Sequence, residues 1–499
     1  MRNKRLAINT ISSFVFQITT IICGFILPRL ILSRYGSEVN GLVNSVSQFL
    51  GIISFLELGM GAVVQSTLYK PLAEKDNESI SRVIKSADGF FKRIALILLI
   101  YVVVLVIAYP FFTSSAFDFV FIGTLIGAMS ISSFAQYYFG VVDRLLLTAD
   151  QHGYIQYLAQ TITLIINTIV CSILINYGGS IQIVKLTTSI IFLGRPLFLR
   201  WYVNTHYQIN RGITYNEEPI KQKWNGVAQH VSAVVLDGTD TIVLTIFSTL
   251  SNVSVYSVYH LVVYGVKQLF TSMTNGIQAL LGELWAKKEM DTLRSTFAWA
   301  EWVIHTGVVL IFGCTASLIV PFVQVYTNGV NDIDYRVPLF ALLITIAHAM
   351  HCIRLPYNLM ILAGGHYKQT QNNYIIAAVI NIVVSIIMVS AFGLVGVAIG
   401  TLVAMFYQTV WMAWYDSKNF MKWPISSFIK QMCVDAGTFI ICYCICLKLN
   451  LIGLTYYNWL LLAAEVFIVW LAIIIIVNLI FYRPFIKTLV SKIARKRAR

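Results

Sequence analysis

The residue that most needs a chemical reason is Lys267, in VVYGVKQLF (262–270). No other charged side chain occurs between Asn252 and Glu283. An ammonium in the middle of such an apolar run costs about 2.5–3.5 kcal/mol on membrane-insertion scales. Lys267 is one of seven polar residues, with Tyr256, His260, Tyr264, Thr271, Asn275 and Gln278, spaced by steps of three or four. That spacing keeps all seven on one face of an α-helix. A cation on such a face can meet an anionic ligand or an internal carboxylate. Asp237 and Asp240 in VLDGTDTIV supply the second option, as partners of Lys267, as acceptors of a coupling proton or cation, or as structural counter-charge. Pairing with Lys267 is the simplest of these.

Similar stripes recur on three further segments: Asn9, Ser13, Gln17 and Thr20; Asn40, Asn44, Ser47, Gln48, Gly51 and Ser54; His230, Asp237, Thr241 and Ser248. Lipid cannot satisfy these groups, so they must face protein or water. Dry hydrogen bonding between helices accounts for any single Ser or Thr. The stripe around Lys267 is better accounted for by a hydrated cavity. His351, Arg354 and Asn358 share a narrow face beside Pro356 and form a lesser candidate. Arg29 lies opposite its helix's polar stripe unless Pro28 re-aims it; otherwise it snorkels. Lys185, near a helix start, is expected to snorkel too. Glu57 reads as structural, and Asp435 and Glu465 as a contact between the last two helices.

The elements that position these residues follow from hydropathy. The 499-residue chain is 58% hydrophobic and 12% charged, against roughly 25% charged for a soluble chain. Apolar stretches recur from end to end, which defines an all-α polytopic membrane protein. Breakers delimit fourteen spans: 6–32, 39–68, 91–113, 118–142, 154–176, 180–203, 223–249, 253–282, 299–325, 337–363, 370–391, 394–415, 429–448 and 457–481. The polar stripes thus fall on spans 1, 2, 7 and 8. The basic start and the lack of a small-residue cleavage site mark the first span as a retained helix.

Of the 36 Lys and Arg, 29 fall on the side of the termini. Three (Arg34, Arg336, Lys448) fall opposite, and Arg29, Lys185, Lys267 and Arg354 within spans. That asymmetry places both termini in the cytoplasm. The net charge of +14 therefore needs no nucleic acid, and the tail 483–499 reads as a polybasic contact with anionic lipid. All eight cysteines lie in spans, without metal-ligand or disulfide spacing, so no metal is expected. No G-x-x-x-x-G-K-[ST] motif is present, which argues against a nucleotide-driven pump. The longest outside loop, YTNGVNDIDYR (326–336), is too short for the catalytic domain of a membrane glycan polymerase or acyltransferase. The chain is not expected to be an enzyme.

The sequence repeats. LLLTADQHGYIQYLAQTITLIINTIV (145–170) aligns with LMILAGGHYKQTQNNYIIAAVINIVV (359–384) at an offset of 214, and 71–82 with 283–294 at an offset of 212. Each repeat holds six spans, an even number, so the halves run parallel, as in transporters whose site lies where the halves meet. The expected organisation is an N-lobe (1–205), a linker (206–222), a C-lobe (223–418), two further helices (429–482) and the basic tail (483–499).

PRLILSRYGSEVNGLVNSVSQFLGIISFLELGMG (28–61) resembles the N-terminal signature of bacterial polysaccharide flippases of the Wzx type. These belong to the MOP superfamily with the MATE exporters and the lipid II flippase MurJ. DTIVLTIFSTLSNVSVYSVYHLV (240–262), ILAGGHYKQTQNNYIIAAVINIVVS and FGLVGVAIG resemble later parts of the same family. The resemblance implies two six-helix lobes with helices 1, 2, 7 and 8 lining a cavity, plus two extra helices. It implies that cavity cations receive the diphosphate of an undecaprenyl-linked oligosaccharide. Lys267 takes that role, with Arg29 and Arg354 as further candidates. The implied function is flipping of lipid-linked repeat units for a cell-surface polysaccharide, in the bacterial cytoplasmic membrane, by alternating access. Membrane lipids, a polysaccharide polymerase and glycosyltransferases are the implied partners. Coupling would need no cofactor beyond Na+ or H+. The alternative is a MATE-like multidrug or cation antiporter. Drug antiporters of that branch tend to carry a first-helix carboxylate, and the first span here has none.

Overall fold

A computed structural model describes residues 2–113, 117–215, 217–220 and 227–488. Among them no strand occurs. The helices are α1 (Arg2–Gly51), α2 (Phe55–Glu74), α3 (Asn77–Phe112), α4 (Phe119–Ala135), α5 (Val141–Ala149), α6 (Gly153–Asn176), α7 (Ile181–His206) and α8 (Val227–Phe247), then α9 (Leu250–Ala286), α10 (Met290–Tyr326), α11 (Pro338–Ile353), α12 (Leu355–Ala363), α13 (Tyr367–Phe392), α14 (Leu394–Asp416), α15 (Ser426–Cys446) and α16 (Tyr456–Phe481). Eleven helical stretches among the described residues are long and apolar enough to cross a membrane. This is an all-α polytopic membrane protein.

Eleven and fourteen differ for physical reasons. The first stretch, Ile8–Ser54, joins the first two expected spans. It is interrupted at Gly36, whose φ of 84° and ψ of 177° break the helix without a loop. That conformation costs glycine little and other residues much. α9 carries the Lys267 stripe and is not among the eleven, and several side chains of α8 lie outside the described residues. The expected tenth span also splits. α11 ends at Ile353, Arg354 forms the joint, and Pro356 sits in the first turn of α12, where its missing N–H is harmless.

Helix starts are set by side chains that accept otherwise orphaned N–H groups. Asp76 accepts from the backbone N–H of Glu78 and Ser79, at 3.1 and 3.0 Å. Ser180 caps α7 and Thr455 caps α16 in the same way.

The chain divides into two compact units, Met1–Ser254 and Val255–Arg499. In the first, α8 packs on α1 and α2, and α6 packs on α1 and α7. One core joins α2, α3, α5 and α7, and another joins the second half of α1 to α3, α4, α6 and α7. Gly41 lets the chain approach closely: a Cβ there would lie 1.8 Å from the carbonyl oxygen of Leu250. The obstacle is backbone and cannot swing away. Gly41→Ala is therefore expected to cost about 1–3 kcal/mol, read as a lower unfolding temperature in detergent. An unchanged midpoint would mean that this approach is looser than described.

In the second unit, α15 and α16 both pack on α10. Trp470 is fully buried, and its ring occupies the space a Cβ on Gly313 would need. Its Nε1 donates to Ser317 Oγ at 3.3 Å, and Trp302 Nε1 donates to Asn478 Oδ1 at 2.7 Å.

Candidate functional site

α9 carries Lys267 as one uninterrupted helix, so the three-and-four spacing is realised. Tyr256 and His260 stack with centroids 5.3 Å apart and planes 16° apart, and His260 and Tyr264 continue the ladder at 5.3 Å. The Lys267 ammonium lies over the Tyr264 ring, 4.9 Å from its centroid, a cation–π distance. Gln268 donates to the Tyr264 hydroxyl at 2.6 Å, and the Thr271 hydroxyl donates to the Lys267 carbonyl at 3.0 Å. Lys267 is only 4% exposed. Gln278 is half-buried further along the helix.

α11 and its joint with α12 add more basic groups. Arg354 is buried, with Nη2 3.0 Å from His351 Nδ1. Lys267, Arg354 and His348 all lie near His351, and Lys267 and Arg354 near Cys352. The His348 ring lies 5.5 Å from that of His260. The second unit thus gathers Lys267, Arg354 and three histidines against an aromatic ladder. Such a group attracts phosphate-like anions through charge-assisted hydrogen bonds. Its aromatic faces offer flat surface to apolar or sugar-like groups. His348 and His351 precede Arg354 by steps of three, so the pattern was in the sequence, although His348 went unnoticed. Asn358 is occupied: its Oδ1 accepts from the Tyr374 hydroxyl.

The candidates of the first unit are placed differently. Asn40 is buried and donates to Ser254 Oγ at 2.7 Å. The 214 residues between them equal the offset of the repeat. Asn44 Nδ2 donates to the Asn40 carbonyl at 2.8 Å. The Gln48 amide lies against Gly238, where a Cβ would meet it at 2.1 Å. Asn9 donates to the Gln151 carbonyl at 2.8 Å and accepts from Tyr154 N–H at 2.7 Å, bridging α1 to the start of α6. Ser13, Gln17, Arg29 and Thr241 are half-buried, and the Thr241 carbonyl accepts from Thr245. Asp240 is 3% exposed. The side chains of Glu57, His230, Asp237 and Asn275 lie outside the described residues, as do residues 489–499 of the basic tail.

Three placements differ from expectation. Asp435 does not meet Glu465, which is exposed; its Oδ2 lies 2.7 Å from His305 Nδ1 on α10. Tyr357 extends that buried chain, donating to Glu301 at 2.5 Å and lying 3.2 Å from His305 Nε2. Lys185 does not simply snorkel but lines a cavity inside the first unit. Arg144 and Arg195, counted with the loops on charge alone, line the cavity beside it. A four-charge cluster was also missed. Arg211 of the linker reaches Asp88 at 2.7 Å and Asp143 at 2.5 Å, with Arg200 3.3 Å from Asp143. No local spacing announces it, because its members come from α3, α5, α7 and the linker.

The fold is similar to that of solved membrane transporters of the MOP superfamily. The lipid II flippase MurJ in an inward closed conformation superposes with a TM-score of 0.69 at 16% identity, covering 96% of this chain and 99% of that one. An inward-facing multidrug resistance MATE transporter of the same superfamily gives 0.58 at 13% identity, covering 80% and 95%. A eukaryotic MATE transporter gives 0.55 at 11% identity, covering 84% and 96%. No family model and no curated protein matches the sequence.

Proposed function

We propose that the protein is a transporter that flips a polyprenyl-diphosphate-linked oligosaccharide across the bacterial cytoplasmic membrane by alternating access. The observation that carries this reading is the placement of the cations Lys267 and Arg354 around His351, beside the ladder Tyr256–His260–Tyr264. A diphosphate is the anion this cluster suits, and the stacked rings suit sugar faces. The polyprenyl chain would remain in lipid. Arg29 is a further candidate cation, and the polar groups of Asn9, Ser13, Gln17, Asn40, Asn44, Gln48, His230, Thr241, Thr271, Asn275 and Gln278 are the candidate lining. Asp237 and Asp240 are candidates for a coupling Na+ or H+, or for the counter-charge of Lys267. In this reading 1–205 and 223–418 act as lobes, 206–222 as linker, and 429–482 as accessory helices. The termini are cytoplasmic, and the tail holds anionic lipid. Polymerase and glycosyltransferases would act on the same lipid-linked unit.

A lipid II flippase and multidrug transporters share this fold, so fold alone favours neither cargo. The cluster supports the anionic cargo, because Lys267 and Arg354 would repel a cationic drug. The test is reconstitution into liposomes with a fluorescent polyprenyl-diphosphate glycan, read by dithionite quenching. Protein-dependent exposure of label is expected, with no ethidium efflux. Efflux of ethidium without glycan movement would establish the antiporter instead.

A further inference from the structure

The first unit contains a polar hollow that the reading above does not use. Two adjoining cavities, of ≈380 and ≈90 Å³, share Ser132, Ser133, Gln136 and Phe192 in their walls. One face of α7 runs along both: Lys185, Thr188, Ser189, Phe192 and Arg195 follow at helical spacing. The ten residue steps from Lys185 to Arg195 span about 15 Å of helix. Ser47, Gly51 and Ser54 of the α1 stripe, and of the short 3₁₀ turn that follows it, line the larger cavity. Gln156 and Gln160 of α6 line the smaller one. Among the described residues no carboxylate lines either.

The two cations on α7 are presented rather than neutralised. Arg195 Nε donates to Thr163 Oγ1 at 2.6 Å, and its guanidinium stacks on Phe192 at 3.7 Å. These contacts fix the plane of the group, and its terminal nitrogens have no hydrogen-bond partner among the described residues. Lys185 has neither a hydrogen bond nor an ion pair among them. Arg144 adds a third cation to the wall of the smaller cavity. The backbone is shaped to hold this wall: α4 passes into a π-turn at Gln136–Gly140. A Cβ on Gly140 would lie 2.7 Å from Pro196, so α7 approaches closely there. Cations within a spanning helix are costly and belong at functional positions. With hydroxyl and amide groups around Lys185 and Arg195 and no carboxylate beside them among the described residues, the two complement an anion, and a fixed guanidinium fork suits phosphate.

We propose that this hollow is a binding site for a phosphate-bearing head group, held by Arg195 at the narrow end and by Lys185 along the wide one. The site lies within the first unit and does not involve Lys267. An anionic phospholipid and a soluble phosphate ester both carry this chemistry, and the two arms of the test separate these sources. The full-length protein is placed in phosphatidylcholine nanodiscs, and its unfolding temperature is followed in two titrations, one with glycerol 3-phosphate and one with phosphatidylglycerol built into the disc. A rise in the first arm identifies a soluble ester, and a rise in the second a lipid head group. Arg195→Lys and Lys185→Gln should each weaken the response at least fivefold. Ser133→Asp, which places a counter-charge in the shared wall, should abolish it, and Lys267→Gln should leave it unchanged. No response in either arm, or a full response in the Arg195→Lys/Lys185→Gln double variant, overturns the proposal. Lys267→Gln separates this site from the proposed transport function, since it should stop flipping without touching the response.

Discussion

Lys267→Gln should reduce glycan translocation about 10–100-fold while leaving membrane insertion intact. The magnitude follows from one charge-assisted contact to a diphosphate, worth about 1.5–3 kcal/mol, with each 1.4 kcal/mol a factor of ten in rate. Insertion should improve if it changes at all, because removing an ammonium from an apolar run relieves about 2.5–3.5 kcal/mol. Loss of activity therefore could not be blamed on failed insertion. Lys267→Arg should retain most of the flipping rate, since charge and reach survive. The cluster predicts that Arg354→Gln adds less than a full independent loss to Lys267→Gln, because both cations act on the same His351 and neighbouring sites are not additive. Liposome flipping with matched protein content measures all three variants. Full activity in Lys267→Gln would remove the diphosphate role.

Arg211→Ala should destabilise the first unit by about 3–5 kcal/mol, the cost of stranding a buried partner of opposite charge. Asp143 is fully buried, and its closest cation is Arg211 at 2.5 Å. With Arg211 gone, Arg200 would face both Asp143 and Asp88 alone, at 3.3 and 3.8 Å. The linker would also lose its main anchor. What remains includes the bonds from Tyr207 to Asp150, from Asn77 to Gln208, from Asn210 N–H to Ser81 and from Ser86 to Glu218, and buried Ile220. The expected readouts are a lower unfolding temperature and faster proteolysis within 207–220. The double variant Arg211→Leu/Asp143→Leu should recover much of the midpoint, since a well-packed apolar pair avoids the desolvation of both charges. If Arg211→Ala unfolds like the parent, the four charges are surface decoration and do not anchor the linker.

These two sites differ in how they can be read from the chain. Lys267 was legible because its helix is long and its polar neighbours obey the helical period, which is a local property. The breaks at Gly36 and Pro356 have equally local causes, although 337–363 was expected as one span: one residue tolerates φ of 84°, and the other lacks an N–H. The repeat and the length of apolar runs were likewise enough to give helix order and fold class. None of this reveals which helix faces which. Asp435 and His305 are 130 residues apart and bond at 2.7 Å. Arg211 and Asp88, 123 apart, do so at 2.7 Å. Lys185 sits near a helix start and so read as a snorkelling residue, yet it lines a cavity with residues of three other segments. Periodicity fixes the angle of a side chain around its own helix axis. Whether that direction meets lipid, a partner charge or a cavity depends on packing between segments distant in sequence, and only the tertiary structure decides it.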